Sequence, residues 1–163
     1  MTQGLDVDGV RRERGRDDLW VGTEPIDVAR VAAALEDESL GGVALFLGRV
    51  RSPNDGQVVS HLDYEGYDAM ILATMASLAD EARTAYGGTD GRLLVAIHHR
   101  LGRVRPGEVS MAVAVAAAHR AAALAACAAV VEEAKRRLPI WKLEVGDGGA
   151  RYVAGVAVAG EVL

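Results

Sequence analysis

The stretch "RLLVAIHHRLGRVRPGEVSMAVAVA" (Arg92–Ala116) decides the fold class. Leu93–His99 and Val109–Ala116 are short apolar runs rich in strand formers, and the Pro and Gly of the intervening "RLGRVRPGE" mark a turn. Two strands are predicted here. The next segment differs in kind: His119–Leu138 is alanine-rich, long enough for a helix, and closes on Pro139. Upstream, "DAMILATMASLADEARTAYGG" (Asp68–Gly88) predicts another long helix. Asp68 is expected to cap it, Ile71, Leu72, Met75, Leu78 and Ala82 form its apolar stripe, and Gly87 or Gly88 ends it.

The rest of the chain extends this pattern. A short strand is predicted around Leu19–Val21, then a helix capped by Asp27 with Val28, Val31, Ala32 and Leu35 on one face. "GGVALFLGRVR" (Gly41–Arg51) reads as an inner strand with a basic tip, and "SPNDG" (Ser52–Gly56) as a loop. "VVSHLDYEGY" (Val58–Tyr67) alternates as a strand, with Leu62 and Tyr64 sharing a face. The order of elements predicts an α+β fold: a mainly antiparallel sheet with two long helices packed on it. One domain is expected over residues 19–153, between a flexible N-terminal tail (1–18) and a C-terminal tail (154–163).

Composition removes several function classes. The chain has 163 residues and a net charge of −5, from 23 Asp and Glu against 18 Lys and Arg. Nucleic acid is not expected as a partner, because that needs a broad basic face. No apolar run reaches the roughly 18 residues of a membrane span, and the charged start offers no signal-peptide core. A single cysteine, Cys127, among helix alanines reads as a buried structural thiol and fits a reducing cytoplasm. No GxGxxG, P-loop, HExxH or CxxC is present, so neither a nucleotide cofactor nor a metal site is expected.

Against this acidic background, cations gather locally. "KRRLPIWK" (Lys135–Lys142) packs four of them around Leu-Pro-Ile-Trp. Lys135 suits the negative end of a helix dipole, so its charge alone proves nothing. Lys142 is different: Ile140 and Trp141 beside it are expected to keep its ammonium partly dry, which lowers its pKa, and Glu144 is placed to orient it. Arg49 and Arg51 at a strand end suit phosphate or carboxylate. His119 and Arg120 oppose the dipole at a helix start, which favours an arriving anion. Asp63 and Glu65 read either as general bases or as partners of arginines on a neighbouring strand, and His99-Arg100 as a turn anchor. Arg120 and Lys135 lie about 22 Å apart along one helix, so one small ligand cannot touch both within a chain. If both serve one site, a second copy supplies one of them, and a homodimer with shared sites is expected.

"FLGRVR", "LDYEGY", "IHHRLGRVRPGE", "AHR" and "KRRLPIWKLE", in this order and spacing, resemble the catalytic large subunits of molybdopterin synthase from about Trp20 to Tyr152. The resemblance implies a hammerhead-like α/β sandwich. It implies a sulfurtransferase that converts cyclic pyranopterin monophosphate to the dithiolene of molybdopterin, in molybdenum cofactor biosynthesis. In that family the sulfur comes from a thiocarboxylated C-terminal glycine of a small ubiquitin-like subunit, with no further cofactor. Two large subunits form the centre of a heterotetramer.

Carried onto this sequence, the resemblance makes Lys135 and Lys142 the catalytic lysines. Arg49, Val50 and Arg51 would hold substrate or the carrier's tail. His119 and Arg120 would bind phosphate from the neighbouring subunit. Phe46 would line the pocket, and Leu143 and Glu144 would complete its wall. Tyr152 stands where the family usually has Trp, and Arg151 receives no role. The rival reading is a non-catalytic paralogue that binds a pterin phosphate or a ubiquitin-like tail. Both lysines count against it, since binding alone would tolerate Arg.

Overall fold

The computed structural model describes residues 5–6, 9–14 and 17–153. Its strands are β1 (Leu5–Asp6), β2 (Gly9–Arg14), β3 (Asp17–Gly22), β4 (Gly42–Arg49), β5 (Val59–Gly66), β6 (Leu93–Arg100), β7 (Gly102–Val104), β8 (Val109–Ala117), β9 (Ile140–Gly146) and β10 (Gly149–Val153). Its helices are α1 (Val28–Ala33), α2 (Asp68–Tyr86) and α3 (Arg120–Arg137). The strands make a six-stranded sheet, β1-β2-β3-β6-β8-β4, and a four-stranded sheet, β10-β9-β5-β7. Every neighbouring pair is antiparallel except β3–β6. This is the expected α+β sandwich.

Strand β8 explains how the layers assemble. Met111, Val113, Val115 and Ala117 point into the main core, shared with the buried faces of α2 and α3. The alternate positions Ala112, Ala114 and Ala116 point into a second cluster with Trp20, Val31 and Leu35. Burial on both faces is why the run is apolar throughout, and the small Ala face leaves room for the α1 side. The α2 stripe is buried at all five expected positions.

Four expectations need correction. Gly41–Arg51 is not an inner strand: β4 is an edge of the six-stranded sheet, with Val43 and Leu45 55% and 43% exposed. An apolar run reports the contacts of its side chains but cannot tell whether the backbone has one partner or two. Asp68 does not cap α2; Tyr67 holds that position, and Asp68 lies in the first turn, where its charge still meets the helix dipole. The segment read as an N-terminal tail contributes β1, β2 and the start of β3. Asp17 and Asp18 are buried there, Asp17 accepting from Val95 N at 3.0 Å and pairing with Arg83, and Asp18 lying 3.0 Å from His98 Nε2. Charges look solvent-seeking in a sequence until distant partners appear. Finally, β7, β9 and β10 add to the strands that the sequence predicts. Of these, β9 and β10 form a hairpin whose turn ends at Gly149, with φ 94°, a backbone favourable to Gly. The expected C-terminal tail, and residues 1–4, 7–8 and 15–16 of the N-terminal one, lie outside the described residues.

Candidate active site

Where the C-terminal end of β4 meets the smaller sheet and the last turn of α3, a cavity of about 460 Å³ opens. Each wall arises from local structure. Beyond Arg49 at the tip of β4, Val50 stays tied to the β8 side: its N–H donates to Glu108 O at 3.1 Å, and its carbonyl accepts from Gly107 N at 2.8 Å. That bond pattern holds Val50 inward, 3% exposed, while Arg49 and Arg51 stay exposed beside it. Asn54 and Gln57 then exchange backbone hydrogen bonds of 3.0 Å around Asp55 and Gly56, both at positive φ. A two-residue Asp-Gly turn of this kind fixes the loop tightly.

Strand β9 contributes Lys142 and Glu144 from one face, as the period of two requires. Glu144 is buried, and both its oxygens are engaged. Oε1 accepts from Arg151 Nη2 at 2.7 Å and Nε at 3.0 Å; Oε2 accepts from Asn54 Nδ2 at 2.8 Å. Asn54 Oδ1 in turn accepts from Arg51 Nη2 at 2.8 Å. A chain Arg151–Glu144–Asn54–Arg51 therefore braces the cavity rim. The Arg151 guanidinium, more than the Asn54 amide or the Lys142 charge, holds the Glu144 carboxyl below the usual range.

Burial is the main cause that pushes the Lys142 pKa down. Glu144 opposes the shift, while the charges of Lys135, Arg151 and Arg51 add to it. Lys135, in the last turn of α3, lies with Nζ 5.4 Å from the Phe46 ring centroid, a cation–π distance.

The cavity thus gathers Arg49, Val50, Arg51, Lys135, Lys142 and Glu144. Phe46 supports Lys135 but is not part of the wall. Leu143, expected in the wall, is not there, because strand alternation sends it to the face opposite its neighbours. Trp141 leaves by the same alternation and is 40% exposed, so Leu138 and Ile140 of the lining, rather than Trp141, keep Lys142 dry. His119 and Arg120 sit exposed at the far end of α3, outside the cavity. Of the two readings for Asp63 the structure favours the ion pair: its oxygens accept from Arg103 Nε and Nη2, each at 3.0 Å. Cys127 is buried, as a structural thiol should be.

Arg151, Asn54, Tyr64 and His99 also belong to the site or its bracing; Tyr64 and His99 lie in stretches that carry the resemblance, but the sequence assigns none of the four this place. The pairing of Arg151 with Glu144 is legible in principle, since "GDGGAR" carries the Gly chemistry of a hairpin turn that sets them opposite each other. His99, read from the sequence as a turn anchor with Arg100, instead lines the cavity from the end of β6. Among the described residues, no group of three or more His, Cys, Asp or Glu could hold a metal ion. A larger hollow of about 660 Å³ lies elsewhere, between Asp17, Arg83 and Arg92, but there Asp17 and Arg83 neutralise each other.

Known proteins resemble this chain in sequence and fold. The family model described as "MoaE protein" matches residues 21–137. The molybdopterin synthase catalytic subunit of Pyrococcus abyssi (strain GE5 / Orsay) is 38% identical over 132 residues, 81% of this chain and 86% of that protein. The molybdopterin synthase catalytic subunit of Oryza sativa subsp. indica is 43% identical over 128 residues, 78% of this chain but only 64% of that longer protein. Among solved structures, molybdopterin synthase from Staphylococcus aureus superposes with a TM-score of 0.78 at 27% identity, covering 87% of this chain and 99% of that one. With sequence and fold in agreement, this chain belongs to the MoaE protein family.

Proposed function

We propose that the chain is the catalytic large subunit of a molybdopterin synthase. It moves sulfur from the thiocarboxylated C-terminus of a small ubiquitin-like subunit to cyclic pyranopterin monophosphate, forming the molybdopterin dithiolene. The observation that carries this reading is the convergence of Lys135, Lys142, Arg49 and Arg51 on one cavity of an acidic protein. Both reactants are anionic, and a partly dry cavity strengthens the attraction of each cation for them. Lys135 assists attack at the thiocarboxylate. Lys142, less firmly protonated than a free lysine, moves protons during ring opening and sulfur addition. Sulfur comes from the partner, so the reaction requires no other cofactor. We further propose that two copies form the centre of a heterotetramer in the cytoplasm, each lending His119 and Arg120 to the other's substrate phosphate.

The decisive assay mixes the full chain with a thiocarboxylated small subunit and cyclic pyranopterin monophosphate. Formation of the dithiolene product is expected. Tight binding of either reactant without product would instead identify a non-catalytic paralogue.

The bracing of Lys142 yields a graded expectation. Glu144→Gln removes a charge that holds the Lys142 pKa up, so the limb of the kcat/KM profile that titrates with Lys142 should move to lower pH. An unmoved limb would show that Glu144 acts only as scaffold.

A further inference from the structure

The cavity is rich in hydrogen-bond donors and poor in acceptors. Arg49, Arg51, Lys135 and Lys142 can only donate while charged. Glu144, the acidic member of the lining, already receives bonds on both oxygens. Ser110 donates to Gly48 O at 3.3 Å and also meets the Tyr64 phenol. Cyclic pyranopterin monophosphate carries the N–H donors of its pterin ring as well as a phosphate, and a site of cations alone would leave those donors unmatched.

His99, at the end of β6, lines the same cavity and is buried, with 8% of its surface exposed. Its Nδ1 lies 2.9 Å from Arg100 O. A carbonyl oxygen only accepts, so Nδ1 carries the proton. The ring packs edge-on against Tyr64, with centroids 5.2 Å apart, which fixes its plane. Burial pushes its pKa down to about 4, against a smaller upward effect of the Arg100 carbonyl, so the ring is neutral at pH 7. In a neutral imidazole protonated on Nδ1, Nε2 is a bare lone pair. Among the described residues that atom has no hydrogen-bond partner, although a buried polar atom normally has one.

We propose that His99 is a substrate-binding residue whose Nε2 accepts a hydrogen bond from an N–H or O–H donor of the bound pterin. The cations hold the anionic end of the substrate, and His99 sets the orientation of its ring system. This inference rests on the functional reading above.

Two substitutions separate the two ring nitrogens. The amide of Asn at position 99 reproduces Nδ1 and its bond to Arg100 O but has nothing at Nε2. The amide of Gln reaches the Nε2 position and offers an acceptor there. With the thiocarboxylated small subunit in excess, His99→Asn should raise KM for cyclic pyranopterin monophosphate about tenfold, the size of one lost hydrogen bond. His99→Gln should stay within about threefold of wild type. Rescue by Asn rather than Gln, or equal behaviour of the two folded variants, overturns the proposal. Should neither variant fold, the wild-type protein decides: the ¹⁵N resonance of bare Nε2 should move upfield when cyclic pyranopterin monophosphate is added, and an unmoved resonance overturns it. Wild-type protein that makes no product in the assay would refute the functional reading, a result distinct from either.

Discussion

Alanine in place of Lys142 is expected to lower molybdopterin formation by about 100- to 10,000-fold, the usual worth of a positioned proton-transfer group. The native structure should survive the change, because the ammonium is not part of the core. Stability should in fact move the other way. Burial and the neighbouring cations depress the Lys142 pKa in the folded protein, so between that value and the unfolded value near 10.5 the unfolded chain binds more protons. Keeping the site charged therefore costs folding free energy; the cost is complete below the depressed pKa and fades as pH rises through that window. Lys142→Met should thus melt higher than wild type near neutral pH, with an advantage that disappears toward pH 10.5. Lower activity joined to higher stability is what a functional cation predicts. Wild-type turnover in Lys142→Ala would remove the role assigned to it, and a large loss of stability would make Lys142 a structural residue.

How far the sequence leads depends on the range of each interaction. The α2 stripe and the apolar run of β8 are local patterns, and the structure makes of them the helix and strand expected. The two lysines and two arginines are legible as a charge anomaly, and the cavity brings them together. What stays hidden depends on pairing across the chain. Asn54 reaches Glu144 over 90 positions, and Asp17 reaches Val95 over 78. No periodicity encodes such contacts, so Asn54 reads as a turn residue and Asp17 as part of a polar tail. Strand β9 escapes a sequence reading for a related reason: Lys142, Leu143 and Glu144 alternate, but the polar positions face a cavity rather than solvent. Alternation there reports the site, not a water-facing sheet.

Mixing two inactive variants should restore about a quarter of wild-type turnover, if the proposed dimer shares its sites. Arg120→Ala removes a phosphate ligand, and Lys135→Ala a catalytic cation. A random exchange of subunits puts about half of the protein into mixed dimers. In each mixed dimer one cavity carries both defects and the other carries neither. The geometry of β4 is compatible with this sharing. The strand is a sheet edge with exposed Val43 and Leu45, and unpaired edges of that kind invite a second strand. Its first residue, Gly42, lies so near the start of α3 that an added Cβ would come within 3.0 Å of Arg120 N; its last, Arg49, lines the cavity. If two β4 edges pair antiparallel about a twofold axis through the middle of the strand, Gly42 of one copy faces Arg49 of the other. His119 and Arg120 would then arrive at the partner cavity that their own helix keeps them from reaching. A mixture no more active than its components, under conditions where subunits demonstrably exchange, would leave each cavity to work with the residues of one chain.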